Sequence, residues 1–270
     1  MRKIAFAVLL GLLFCTSRFS IAQEIRGVDA PTDDVPRYQK QALTVFTGDI
    51  VLAQLANGEG WRTMVTLVNL ENVPATATVW FVSDFGDPLS LPIVGLGTYP
   101  GVSFTIPVNG SGTFETAGGT GAVTQGWAFI ESNQRVGAMA IFRWSHPVFG
   151  GPIYEAVVPA ASPFDKRQVL PFDHTAGYRT GVAIANFSTS AITILATLRN
   201  EQGQVFGSAS LTLGPARHGA WFFQEVFPSS IGRRGTVEFT TGSTGMVPLG
   251  LRISASGIPT TLFPMASPLW

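Results

Sequence analysis

Gly60-Trp61-Arg62-Thr63-Met64-Val65-Thr66-Leu67-Val68-Asn69 returns later in the chain as Gly177-Tyr178-Arg179-Thr180-Gly181-Val182-Ala183-Ile184-Ala185-Asn186. Gly, Arg, Thr, Val and Asn recur identically, and Trp/Tyr and Leu/Ile recur in kind. Large apolar residues alternate within both copies, the period of a strand with one buried face. One unit thus occurs twice, and a chain of 270 residues holds two such units, each of roughly 110 residues and able to bury its own core.

Outward from this stretch the two copies stay in step. Ala75 to Asp84 is rich in β-branched and aromatic residues and matches Ala191 to Arg199. The turn Asp84-Phe85-Gly86-Asp87 matches Glu201-Gln202-Gly203-Gln204 without a gap. Short strands follow in each unit, separated by Gly- and Pro-bearing breaks. One helical turn fits between Ala220 and Phe227, and sustained helical periodicity occurs nowhere. About seven short strands per unit, with a turn signal every ~8–12 residues, predict an all-β chain of two tandem β-sandwich domains. The divisions are 1–22 (signal peptide), 23–42 (flexible leader), 43–160 (first sandwich) and 161–270 (second sandwich).

The Gly-Trp-x-Thr…Asn opening, with a Gly126-Trp127-Ala128 strand later, resembles repeats of secreted bacterial proteins built from tandem immunoglobulin-like or fibronectin-III-like sandwiches. The resemblance covers nearly the whole mature chain. It implies an immunoglobulin-like fold and a secreted location, and no activity.

Strand parity assigns the faces, because successive side chains point to opposite sides. Val65/Val182 and Leu67/Ile184 are large and apolar in both copies and define the inward face, which also takes Trp61/Tyr178; Arg62/Arg179 points outward. The same comparison puts Val79/Ala196, Phe81/Leu198, Ala128/Val237, Ile130/Phe239, Met139/Leu249 and Ile141/Leu251 inward. On the opposite faces the copies part. The second unit has Thr197, Arg199, Thr236, Glu238 and Arg252, an ordinary polar coat. The first has Trp80, Val82, Trp127, Phe129 and Phe142. An apolar patch of this kind on a sandwich surface requires a cover. The internal candidates are the leader, the second unit, and an insert around Val94-Gly-Leu-Gly-Thr-Tyr-Pro100 that makes the first unit ten residues longer between Gly86 and Phe104 than the second is between Gly203 and Leu211. The external candidate makes these five residues a binding face for a polysaccharide or a cell-surface protein.

The N-terminus reads as a secretory signal: Arg2 and Lys3, an apolar run from Ile4 to Phe14, and Ser20-Ile21-Ala22 with cleavage after Ala22. The run is too short for a membrane span, so no transmembrane helix is expected in the mature chain. Removal takes the only cysteine, Cys15, and three cations. The mature chain then has 14 basic residues (17 − 3) against 17 acidic ones, a net charge of −3. Two lysines remain, Lys40 and Lys166, a poor footprint for nucleic acid.

Motifs of chemistry are missing. His146, His174 and His218 have no metal-ligand spacing. Asp173-His174 reads as a solvated turn, and Asp84 and Asp87 as turn residues. Gly95-Leu-Gly97-Thr-Tyr-Pro100-Gly101 has the wrong spacing for a dinucleotide fingerprint. No cofactor, metal or catalytic residue is expected. The expectation is a secreted or periplasmic, non-enzymatic contact protein. The alternatives are an outer-membrane β-barrel and a hydrolase with dispersed carboxylates such as Glu131, Asp165 or Asp173.

Overall fold

A computed structural model describes residues 24–29, 50–145, 151 and 153–266. The stretch read as a signal peptide and most of that read as a leader lie outside the described residues, as does His146. The protein is all-β. In chain order the first half contains β1 (Ile25–Val28), β2 (Ile50–Asn57), β3 (Trp61–Asn69), β4 (Ala75–Ser83), β5 (Leu91–Ile93), β6 (Gly97–Tyr99), β7 (Gly101–Ile106), β8 (Ser111–Glu115), β9 (Thr124–Ser132), β10 (Val136–Trp144) and β11 (Tyr154–Ala161). The second half contains β12 (Arg167–Asp173), β13 (Arg179–Asn186), β14 (Ile192–Asn200), β15 (Val205–Leu213), β16 (His218–Phe222), α1 (Phe223–Val226), β17 (Arg234–Thr241), β18 (Met246–Ile253), β19 (Pro259–Leu262) and β20 (Met265–Ala266).

The hydrogen-bond order runs β7-β4-β9-β2 and β11-β10-β3-β8 in the first half, and β15-β14-β17-β12 and β19-β18-β13-β16 in the second. The two orders correspond strand for strand. The registers agree as well: Phe104 lies opposite Ala77 as Leu211 lies opposite Ile194, and Ile130 opposite Val79 as Phe239 lies opposite Ala196. The pairing differs from the immunoglobulin sandwich, where the opening strand pairs with the second and the last with the sixth. Here, leaving out the inserted β5–β6 hairpin, the opening strand β2 pairs with the sixth of its unit, β9, and β10 pairs with the second, β3. The first half is further joined into one nine-stranded sheet, because β11 leaves β10 to pair Ala160 and Ala161 with Leu52 and Val51 of β2. Ile25–Val28, read from sequence as part of a flexible leader, forms an edge strand on β7.

The recurrent decapeptide has a local physical cause at almost every position. Gly60 and Gly177 take left-handed φ values of 84° and 79°, which a side chain would resist. Thr63, Val65, Leu67, Thr180, Val182 and Ile184 are buried, whereas Arg62 and Arg179 are exposed. The closing Asn is a clamp. Asn69 Nδ2 donates to the carbonyls of Val73, Ile106 and Pro107, and Asn186 Nδ2 donates to those of Ser190, Leu213 and Gly214, the equivalent positions. Each Asn thus ties the end of its own strand to the end of β7 or β15 across the sandwich, meeting carbonyls that leave the ladder there.

Two apolar clusters fill the interior. One belongs to the second half and contains Leu170, Ile184, Ile194, Leu198, Phe223 and Phe239. The other combines the core of the first half with Ala183, Ala185, Ala216, Val247 and Leu249 of the second, so it runs across both. The ten-residue insert forms the β5–β6 hairpin. Its Leu91 and Ile93 are buried in the core of the first half, and it pairs with the end of β8 and the residues after it: Val94 N–H donates to the Glu115 carbonyl and Ala117 N–H to the Pro92 carbonyl.

Candidate functional site

The aromatic face singled out from sequence is buried. Trp80 is 8% exposed, Val82 1%, Trp127 0%, Phe129 3% and Phe142 2%. Four of the five do stand on the outer face of the β4–β9 sheet: Trp80 faces Phe129 across the ladder, and Val82 faces Trp127. What meets this face includes the second half. Trp127 Nε1 donates to the carbonyl of Ala216 at 2.9 Å, and the rings of Trp127 and Phe129 lie 6.1 and 5.7 Å from Phe187. The opposing surface is the outer face of β13 and β18, where Ala183, Ala185, Val247 and Leu249 are buried. Met64, Thr66 and Val68 hold the equivalent β13 positions in the first half and are partly or well exposed. Shaving that face to Ala183 and Ala185 lets the second half approach closely. Trp80 takes a further anchor, donating its indole N–H to Glu131.

Phe142 belongs elsewhere, which corrects the parity read for β10. Val65 is paired with Ala140, and directly opposed residues share a face, so Ala138, Ala140 and Phe142 point inward and Met139 and Ile141 outward. The corresponding Leu249 and Leu251 point outward too, with Gly250 over Leu170 in the interior. Beside Val65 and Val182 the interior position of this strand is small, Ala140 or Gly250, and the large Met139, Ile141, Leu249 and Leu251 lie on its outer face. Phe142 packs edge-on against Trp61, with ring centroids 6.2 Å apart.

Polar contacts also join the halves. The Asp84 turn, read from sequence as backbone punctuation, reaches His218 at the start of β16. The His218 Nδ1–H donates to Asp84 Oδ1 at 2.8 Å, its backbone N–H donates to the Asp84 carbonyl, and Gln125 Nε2 donates to Asp84 Oδ2 at 2.9 Å. Thr261 Oγ1 donates to the carbonyl of Val157. The Asp173-His174 pair is not a solvated turn. His174 is buried among Phe172, Phe223 and Ser230, and burial pushes its pKa down. Asp173 turns away to Arg252, 2.7 Å distant. Partial burial works against its charge, but the hydroxyl and amide of Thr175 and the Arg252 guanidinium outweigh that and hold its pKa at about 2.

Beside this contact lies a cleft of about 410 Å³. Trp61 and Phe142 line it from the first half, and Ala183, Trp221, Leu249 and Ile253 from the second. Among the described residues its polar lining is sparse: Gln54, Gln125 and Glu225, the last being the only charged one of these. Gln54 is 9% exposed, and its Oε1 has no hydrogen-bond partner among the described residues; Trp221 Nε1 is buried and equally without one. Sequence reasoning missed this site. Its walls come from strands more than a hundred residues apart, and of the five residues of the sequence-derived face Phe142 alone lines it, beside Trp61.

Among the described residues no three His, Cys, Asp or Glu stand together as metal ligands. No helix among them is long and apolar enough to cross a membrane. No protein-family model matches the chain, nor does any curated protein or solved structure.

Proposed function

We propose that this is a secreted, non-enzymatic contact protein, built from two immunoglobulin-type sandwich units of one duplicated ancestor. The likeness is one of layering, not of strand order. The two units are locked together so that the cleft between them receives an apolar group of a cell-surface partner. The observation that carries this reading is the cleft itself. Its volume falls within the roughly 300–1,000 Å³ of small-ligand sites, and it is mostly apolar with few, separated polar groups. The locked interface supports the reading by holding the cleft walls in fixed relation. A polysaccharide stacking on Trp80 and Trp127 is not favoured, since those rings are buried. A hydrolase with dispersed carboxylates is not favoured either: Glu131 accepts from Trp80, and Asp173 is paired with Arg252. The described strands fall into four sheets around packed interiors, which favours sandwiches over a membrane barrel.

The test combines location and contact. Cell fractionation is expected to find the processed chain outside the cytoplasm. Purified processed protein is expected to be retained by envelope fractions. Gly181→Leu, which fills the cleft from a position where an added Cβ meets its nearest neighbours, Ile253 and Leu251, at an ordinary contact distance of 3.9 Å, is expected to lose retention while keeping its melting temperature. Cytoplasmic residence, or equal retention of the filled variant, overturns the reading.

A further inference from the structure

One sheet edge is closed in the first half and open at the equivalent place in the second, and we infer that two copies of this chain pair there, β15 against β15, about a two-fold axis at Ser210. β7 and β15 hold the same position in their units. β7 is covered by β1, and its inward residues Val102, Phe104 and Ile106 are buried. β15 has β14 as its one sheet neighbour among the described residues. Its inward residues Ala209, Leu211 and Leu213 lie opposite the fully buried Ala196, Ile194 and Ile192, yet they stay half-exposed. At nine residues β15 is the longest uncovered edge strand described, and it contains neither a charge nor a proline. Exposed edges ordinarily use such residues to discourage pairing.

The direction of the free backbone groups follows from the first half. Thr105 N–H donates to the Glu24 carbonyl just before β1, so on β7 the groups of Gly101, Ser103 and Thr105 point to the edge. Thr212 is the counterpart of Thr105, lying opposite Thr193 as Thr105 lies opposite Thr76. Ser208, Ser210 and Thr212 therefore turn their N–H and C=O outward, and their side chains are exposed as well. Regular pairing with β14 runs from Gly207 to Leu213, and Ser210 is its midpoint. Antiparallel pairing about Ser210 sets Ser208 against Thr212 of the second copy and Ser210 against itself, so every free residue meets a free residue. It also sets Ala209 beside Leu211 and Gly207 beside Leu213, which covers the half-exposed interior. All the facing side chains are neutral, so a second copy brings no like charge to the seam; this self-match is what makes it the occupant. β15 contributes nothing to the cleft, and the inference does not rest on it. A paired protein offers two clefts to one surface and gains by avidity.

A single strand pair is a small interface, so the dimer is weak. Sedimentation velocity of the full chain, expressed for export and purified after processing, is expected to pass from one chain to two between about 1 and 100 μM. Ser210→Pro removes an N–H that the ladder with β14 does not use, and it is expected to fold and stay monomeric throughout. Ser210→Lys and Ser210→Glu each put like charges face to face at the axis and are expected to weaken the dimer about ten-fold or more. An equimolar mixture of the two is expected to recover it as a Lys–Glu pair. Thermal melts establish that all three variants are folded. A wild type that stays monomeric over this range overturns the inference. So does a dimer that Ser210→Pro and both charged variants leave intact, because its contact then lies elsewhere on the surface. A mixture no more dimeric than either charged variant alone also overturns it, because position 210 then does not face itself.

Discussion

Replacing Trp127 by Ala tests the arrangement of the two halves most directly. The indole is fully buried between them, donates to the Ala216 carbonyl and packs edge-on against Phe187. A buried indole removes about 200 Å² from water, which at about 25 cal/mol/Å² is near 5 kcal/mol as an upper estimate. Partial relaxation around the cavity brings the loss to about 4 kcal/mol, within the range for Trp→Ala in cores. The stranded Ala216 carbonyl adds about 1 kcal/mol. Urea unfolding followed by tryptophan fluorescence and circular dichroism reads the effect. A loss of this size lowers the midpoint by about 2 M, taking a slope of ~2–3 kcal/mol/M. Because the first apolar cluster spans both halves, the wild type is expected to unfold in one transition and the variant in two. Thr236 holds the same strand position in the second unit, on the polar outer face, and Thr236→Ala is expected to change stability by less than ~0.5 kcal/mol. A Trp127→Ala variant within 1 kcal/mol of wild type would refute the reasoning, because the ring would then not be buried between two packed units.

Asn69→Ala and Asn186→Ala each leave three carbonyls without their donor, and each is expected to cost about 2–3 kcal/mol by thermal or urea melts; a large difference between them would argue against equivalent clamps. Ala185→Leu overpacks the face that meets the first half and is expected to cost about 2 kcal/mol, with the two transitions separating as in Trp127→Ala. Stability is expected to fall as pH drops below about 6.5, since the unfolded chain protonates His174 at its ordinary pKa while burial holds the folded one lower; His174→Gln should flatten that part of the urea-midpoint profile. Asp173 behaves likewise at lower pH. Its stabilisation is complete above about 3.8 and is lost as pH falls from there towards about 2, and Asp173→Asn should remove that limb.

Much of the fold was legible because its causes are local. A strand with one buried face alternates every second residue, and Val65, Leu67, Val182 and Ile184 announce their face without reference to anything distant. Comparing the copies placed β4 against β14 and β9 against β17 in the register found. It failed at β10, where side-chain size pointed one way and pairing with β3 the other: Ala140 lies inward because Val65 is beside it, a fact of the ladder and not of the strand. The helical turn at Phe223–Val226 and the turn at Asp84 were likewise visible.

What the sequence alone determined was the duplicated strand pattern, the inward faces of most strands, and the abnormal apolar coat of the first unit. Only the tertiary structure decided what covers that coat. Ala183 and Ala185 look like weak strand residues until the Trp127/Phe129 face is seen lying against them. Asp84 looks like a turn residue until His218, 134 positions away, is seen to donate to it. The cleft, with the unpaired Gln54 and Trp221 atoms, exists only where two such surfaces meet imperfectly. Alternation within a strand is set by neighbours one and two residues away; the fit of the two halves is set by shapes that no single stretch of chain contains.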